Sequence, residues 1–230
     1  MKYESGPYDE LKDGIQYIRI GDGCHNQCEF CYAPKEYKYH GIPEIRAKYV
    51  KILDMNLLSY PNAIDIMIEL PKKFNGQKVH YELVCGIDYR FFFNLDPIIM
   101  KRNGFIKPRF AWDGGIQLQY KMKDCWKKLL KVGYDNISCF VIANWKVPYE
   151  DCLFKLDLLK IWNVKVCDTY YDGQVSPHVK PIYWTEKQIK DFRARCRKHN
   201  QMVLFKIDPE MNRKTKLTDH RMQKSISSLK

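Results

Sequence analysis

The stretch Gly23-Cys24-His25-Asn26-Gln27-Cys28-Glu29-Phe30-Cys31-Tyr32 follows directly on a β-rich run, Gln16-Tyr17-Ile18-Arg19-Ile20, and its C-x3-C-x2-C spacing decides how the rest of the chain is read. One loop supplies three thiolates and no fourth. A tetrahedral structural metal site takes four ligands, whereas an iron-sulfur cluster used for chemistry keeps one iron open.

Outward from that loop, short β-rich runs alternate with amphipathic helical runs. A helix is expected from about Pro43, with Ile45, Tyr49, Ile52 and Leu53 at helical spacing, and a short helix over 63–72. The second strand, residues 79–84, ends in Cys85-Gly86-Ile87-Asp88, and a helix is expected over 96–102. The third strand, 106–112, ends in Asp113-Gly114-Gly115, and Met122, Cys125, Leu129 and Leu130 form the next helical face, closed by Gly133. The fourth strand, 137–143, is nearly all apolar, as expected of a parallel strand buried on both sides, and ends in Asn144-Trp145. A helix over 149–162 leads to a fifth strand, 164–167, running into Asp168. Thr185 and Gln188 form a capping box that opens a helix carrying Ile189, Phe192 and Cys196, and 201–207 supplies a sixth strand before Asp208-Pro209. Six strands alternating with helices imply an α/β fold of parallel units with right-handed crossovers, in one domain over 1–209 followed by a basic tail, 210–230. Ligand sites of such sheets lie at the carboxyl ends of the strands.

The cysteine motif resembles the signature of the radical S-adenosylmethionine (SAM) enzymes, and Phe30 fits the bulky apolar residue that precedes their third cysteine. The resemblance implies a partial (βα)6 barrel in which Cys24, Cys28 and Cys31 hold a [4Fe-4S] cluster. The open iron of that cluster binds the amino and carboxylate groups of SAM. It further implies reductive cleavage of SAM to methionine and a 5′-deoxyadenosyl radical that abstracts a substrate hydrogen, with flavodoxin or ferredoxin as reductant. Gly86 and Asp88 stand where the family often has Gly-Gly-Glu. There Gly86 lets the backbone approach the cofactor, and Asp88 either accepts from the SAM ammonium or caps and pairs with Arg90. Asn144 suits the polar residue the family often sets against the SAM ribose. The family's glycine-rich motif near strand five has no counterpart. Asp113 has a structural explanation as a helix N-cap.

The formal net charge of +12, with 16 Tyr, 11 Phe and 5 Trp, is compatible with a nucleic acid or nucleotide substrate. Lys187, Lys190, Arg193, Arg195, Arg197 and Lys198 crowd one helix, and Arg213, Lys214, Lys216, Arg221 and Lys224 load the tail. A solvated surface explains such runs equally. Peptide modification and activation of a glycyl-radical enzyme are alternative chemistries. In another class, a zinc-stabilised nucleic-acid-binding module would draw a fourth ligand from His25, His40 or a remote cysteine, although His25 adjoins Cys24 too closely to chelate comfortably with it. The remaining cysteines, Cys85, Cys125, Cys139, Cys152, Cys167 and Cys196, are scattered singly and read as small core residues, with Cys139 and Cys167 weighed as hydrogen-atom donors. His178, Tyr170 and Tyr171 read as loop packing or as lining of the substrate opening. Nine thiols without an apolar leader, and without an apolar run long enough to span a bilayer, lead to the expectation of a reducing, cytoplasmic setting.

Overall fold

The run Ile15–Arg19 alternates half-buried Ile15, Tyr17 and Arg19 with buried Gln16 and Ile18, the period-two pattern of a strand with one covered face. The same pattern recurs through the computed structural model, which describes residues 5–26, 28–93, 95–171 and 184–205. A hairpin comes first: β1 (Tyr8–Lys12) pairs antiparallel with β2 (Ile15–Arg19) through Asp13 and Gly14, both at positive φ as a two-residue turn requires. β3 (Gly21–Asp22) and β4 (Lys38–Tyr39) pair antiparallel and bracket the cysteine loop. β5 (Tyr49–Ile52) leads through a 3-10 turn, Leu57–Ser59, into α1 (Ala63–Glu69) and a small hairpin of β6 (Lys73–Phe74) and β7 (Gln77–Lys78). Then follow β8 (His80–Leu83), α2 (Tyr89–Phe92), α3 (Pro97–Arg102), β9 (Arg109–Ala111) and α4 (Gln119–Lys131). β10 (Ser138–Ala143), α5 (Tyr149–Ile161), β11 (Lys165–Tyr170) and α6 (Glu186–Phe205) complete the described chain.

The strands form a sheet of order β1-β2-β5-β8, in which β2, β5 and β8 are parallel, and an all-parallel sheet of order β11-β10-β9. Two isolated parallel bridges, Tyr81 to Phe105 and Ile87 to Phe110, join them, so the parallel strands neighbour one another in chain order, and among the described residues they do not close into a barrel. Ile18, Ile52, Leu83, Phe110, Cys139, Val141 and Val166 belong to the buried face and its core, and the paired registers carry this face across both sheets. On the opposite face Tyr17, Lys51, Arg109, Ser138, Phe140, Lys165 and Cys167 are half-buried.

Several expectations need correction. The helix from Pro43 is absent: 49–52 is strand β5, parallel to β2, with Val50 and Ile52 buried and Tyr49, which was placed on the helix's apolar face, exposed. Two β-branched residues alternating with outward side chains outweigh four apolar positions at helical spacing. The sixth strand over 201–207 is absent from its described part, because α6 runs on to Phe205 with Phe192, Cys196, His199 and Val203 buried along one face. The number of parallel strands survives, with β5 in place of the lost sixth. No helix separates β2 from β5, so the β/α alternation begins one strand later than expected. β10 is buried on both faces only from Val141 to Ala143 and alternates before that. Asp113 caps nothing: the following 3-10 turn, Ile116–Leu118, has Gly115 at its N-cap, and α4 has Leu118.

All nine cysteines are free thiols, and Cys125, Cys139, Cys152 and Cys196 lie buried in the core as small apolar residues. No helix among the described residues is long and apolar enough to cross a membrane. His178, residues 207–209 and the tail 210–230 lie outside the described residues.

Candidate functional site at the carboxyl ends of the parallel strands

β2 delivers the chain to Ile20 and Gly21, and the chain leaving β5 brings Asp54 beside them. The buried Asp54 carboxylate accepts the backbone N–H of Ile20 at 2.9 Å and of Gly21 at 2.8 Å, and the Tyr60 hydroxyl donates to it at 2.9 Å. Burial pushes this carboxyl up to about 6, against the opposing pull of those donors. Gly23 then passes so close to Glu36 that a Cβ would lie 2.0 Å from its carbonyl oxygen, at a φ of +92°, so only glycine opens the loop. The loop is closed by Cys24 N–H donating to Pro34 C=O and tightened by Cys31 N–H donating to Cys28 C=O, both at 2.9 Å.

Each of the three sulfurs meets its own nitrogen donor. The Asn56 amide donates to Cys24 Sγ at 3.5 Å, the Arg90 guanidinium to Cys28 Sγ at 3.6 Å, and the Ala33 backbone N–H to Cys31 Sγ at 3.4 Å. Burial pushes the Cys28 and Cys31 thiols up. The Arg90 guanidinium counters this at Cys28, while the closeness of Cys28 and Cys24 adds to it at Cys31. Thiols in this setting ionise when a cation joins them. Among the described residues no group of three or more His, Cys, Asp or Glu side chains is already gathered closely enough to hold a metal ion.

The other sequence-predicted residues divide between two strand ends. Past β8, Gly86 has a φ of +90°, and a Cβ there would lie 2.8 Å from the Phe140 ring and 3.1 Å from the Arg109 carbonyl oxygen. Asp88 is the N-cap of α2: it accepts the Arg90 backbone N–H at 2.9 Å, pairs with the Arg90 side chain and receives the Asn26 amide. Its capping and pairing role is thus present. Past β10, Asn144 is buried at a φ of +59° and donates to the Tyr171 carbonyl at 3.3 Å. Phe30 packs edge-on against Trp145 with ring centres 5.2 Å apart, and Trp145 packs against Tyr171 at 4.7 Å. Phe30 therefore packs on a small cluster of Ile142, Trp145 and Tyr171 at the end of β10, and Asn144 is tied to the same place by its bond to the Tyr171 carbonyl.

Sequence reasoning missed Asp54, Asn56 and Lys155, and gave Asp113 the wrong role. Asp54 and Asn56 were hidden because β5 was read as helix. Asp113 follows β9, and among the described residues its carboxylate has no hydrogen-bond or ion-pair partner; burial pushes it up to about 6, Lys155 pulls it down and Asp88 adds to the rise. Lys155 on α5 is fully buried, donates to the Trp112 carbonyl at 3.0 Å and lies 5.4 Å from the Trp112 ring centre. Cys85, at the end of β8, is half-buried, with its thiol pushed up to about 11 by burial, by Asp54 and by Cys31.

No protein-family model matches the chain, and no curated protein matches it.

Proposed function

We propose that the chain is a radical SAM enzyme whose Cys24, Cys28 and Cys31 hold a [4Fe-4S] cluster at the carboxyl ends of a partial (βα)6 barrel. The observation that carries this reading is that three thiols of one C-x3-C-x2-C loop each receive a separate N–H donor, as ligand sulfurs of such clusters do. The sequential order of the parallel strands, with the loop at the exit of β2, supports the barrel reading. When bound, the cluster supplies the electron that cleaves SAM to methionine and a 5′-deoxyadenosyl radical, which abstracts a substrate hydrogen.

The chain's own residues bind, orient and exclude solvent. Asp54 and Tyr60 fix the exit of β2, Gly23 lets the loop fold back, and Phe30 with Trp145 and Tyr171 shields one side of the loop. Asn144 at the end of β10 and Gly86 with Asp88 at the end of β8 remain the residues assigned to SAM, with Asp88 acting through its Arg90 and Asn26 partners. Flavodoxin or ferredoxin is the proposed reductant.

The test is anaerobic iron and sulfide reconstitution, then dithionite and SAM, scoring 5′-deoxyadenosine by mass spectrometry for wild type and Cys28→Ala. Product that vanishes in the variant supports the reading. A colourless protein that retains one zinc and cleaves no SAM overturns it in favour of a zinc module.

A further inference from the structure

Deepening that reading, and resting on it, we infer that the half-open face of the parallel sheet is a binding surface for a phosphorylated, base-bearing substrate, a nucleotide either free or at the end of a chain. The strand registers place Tyr17, Lys51 and Glu82 in one row across β2, β5 and β8, and Arg109, Ser138 and Lys165 in another across β9, β10 and β11. These side chains stand on the face opposite the helix-packed core, and all but Glu82 are half-buried.

The charge on this face is one-sided. Among the inward positions of the described parallel strands Glu82 is the sole carboxylate, and it is already held by Arg109, which also donates to the Val84 carbonyl at 3.1 Å, and by Lys107 at 3.9 Å. Lys51 has no ion-pair partner among the described residues; its ammonium lies 5.2 Å from the centre of the Tyr17 ring. A cation held half out of water beside an aromatic ring, with the nearest carboxylate doubly neutralised, attracts an anion. Tyr17 and Phe140 give the same face two rings on which a base can stack. Lys51 is three residues before Asp54, which is bonded to Gly21 N–H, and Glu82 three before Cys85, whose thiol is influenced by Cys31, so the row lies about 10 Å back along the chain from the residues that border the cysteine loop. The cations of α6, by contrast, are partly spent: Arg193 pairs with Asp168, Arg195 with Asp191 and Lys190 with Glu186.

The experiment is calorimetric titration of the reconstituted full chain, with SAM present, using inorganic phosphate, thymidine monophosphate and a five-residue oligothymidylate as probes. Thymidine monophosphate is expected to bind. Lys51→Met should weaken it at least tenfold, Lys51→Arg should retain it, and Lys127→Met, on the exposed face of α4, should leave it unchanged. Tighter binding of the oligonucleotide identifies a chain end as the ligand, and equal binding identifies a free nucleotide. Wild type that binds no probe, or Lys51→Met that melts and binds like wild type, overturns the inference. If Lys51→Met melts early, Lys51→Gln takes its place. SAM cleavage on the same samples separates the two readings: cleavage without nucleotide binding sinks this inference alone, and nucleotide binding with a full cluster but no SAM binding sinks the enzymatic one.

Discussion

The Asp54 carboxylate accepts the Gly21 backbone N–H at 2.8 Å, tying the exit of β5 to the strand residue two before the glycine that opens the cysteine loop. Burial raises this carboxyl above its unfolded value to about 6. The native state therefore holds the proton more tightly than the unfolded chain. The group's contribution to stability is present below about pH 4 and lost as pH climbs through about 6. Asp54→Asn has no such titration. The stability advantage of wild type over the variant should fall by roughly 2 kcal/mol between pH 4 and 7.5. Urea unfolding of both proteins across that window measures it, and a constant difference would refute the assignment.

Arg90 donates to Cys28 Sγ and pairs with Asp88, so it places positive charge against one of the three sulfurs proposed to hold the cluster. Arg90→Met removes that donor and leaves Asp88 without its cation. Both changes disfavour the reduced cluster. The midpoint potential of the reconstituted protein should drop by on the order of 40 mV, equivalent to about 1 kcal/mol for one electron. A redox titration followed by electron paramagnetic resonance reads the shift, and a potential that stays put or rises would remove Arg90 from the ligand environment.

Local signals that agree with tertiary packing were legible in the sequence. The capping box of Thr185 and Gln188 and the strand expected over 137–143 each follow from chemistry within a few residues, and the strand expected over 164–167 is present but runs on to Tyr170. β5 was not legible because four residues, Tyr49 to Ile52, satisfy both periods, and only pairing with β2 and β8 decides between them. Losing it concealed Asp54 and Asn56, whose roles come from standing at a strand exit rather than from any motif. The end of α6 was misread for the opposite reason: Met202, Val203 and Leu204 are apolar in a row, yet Val203 continues the buried stripe of Phe192, Cys196 and His199 while Leu204 is exposed.

Gly86 and Gly76 both have positive φ, but a Cβ at Gly86 would strike the Phe140 ring, whereas nothing lies within 4 Å of one at Gly76. Gly76→Ala should cost about 1 kcal/mol from backbone strain alone. Gly86→Ala should cost about 2 to 3 kcal/mol, lowering Tm by roughly 4 to 12 °C for a chain of this size. Differential scanning calorimetry of the pair isolates the steric part, and equal costs would mean that Phe140 yields.

Lys155 donates to the Trp112 carbonyl from a fully buried position, and burial holds its ammonium below the ordinary lysine range. The unfolded chain takes up the proton more readily than the native one. The group's contribution to stability is therefore present above the ordinary lysine value and lost as pH falls through the depressed one. Lys155→Met keeps the volume and removes the buried charge, at the cost of one hydrogen bond to Trp112, so at pH 7 it should gain about 1 kcal/mol. The gain should shrink as pH approaches 10. In the same variant Asp113 loses the cation that pulls its carboxyl down, so that group should titrate above its present value of about 6. Unfolding at pH 7 and 9.5, with carbon-detected NMR of the Asp113 carboxyl, tests both. A variant that is less stable than wild type at pH 7 would mean that the lysine-to-carbonyl bond outweighs the desolvation of the charge.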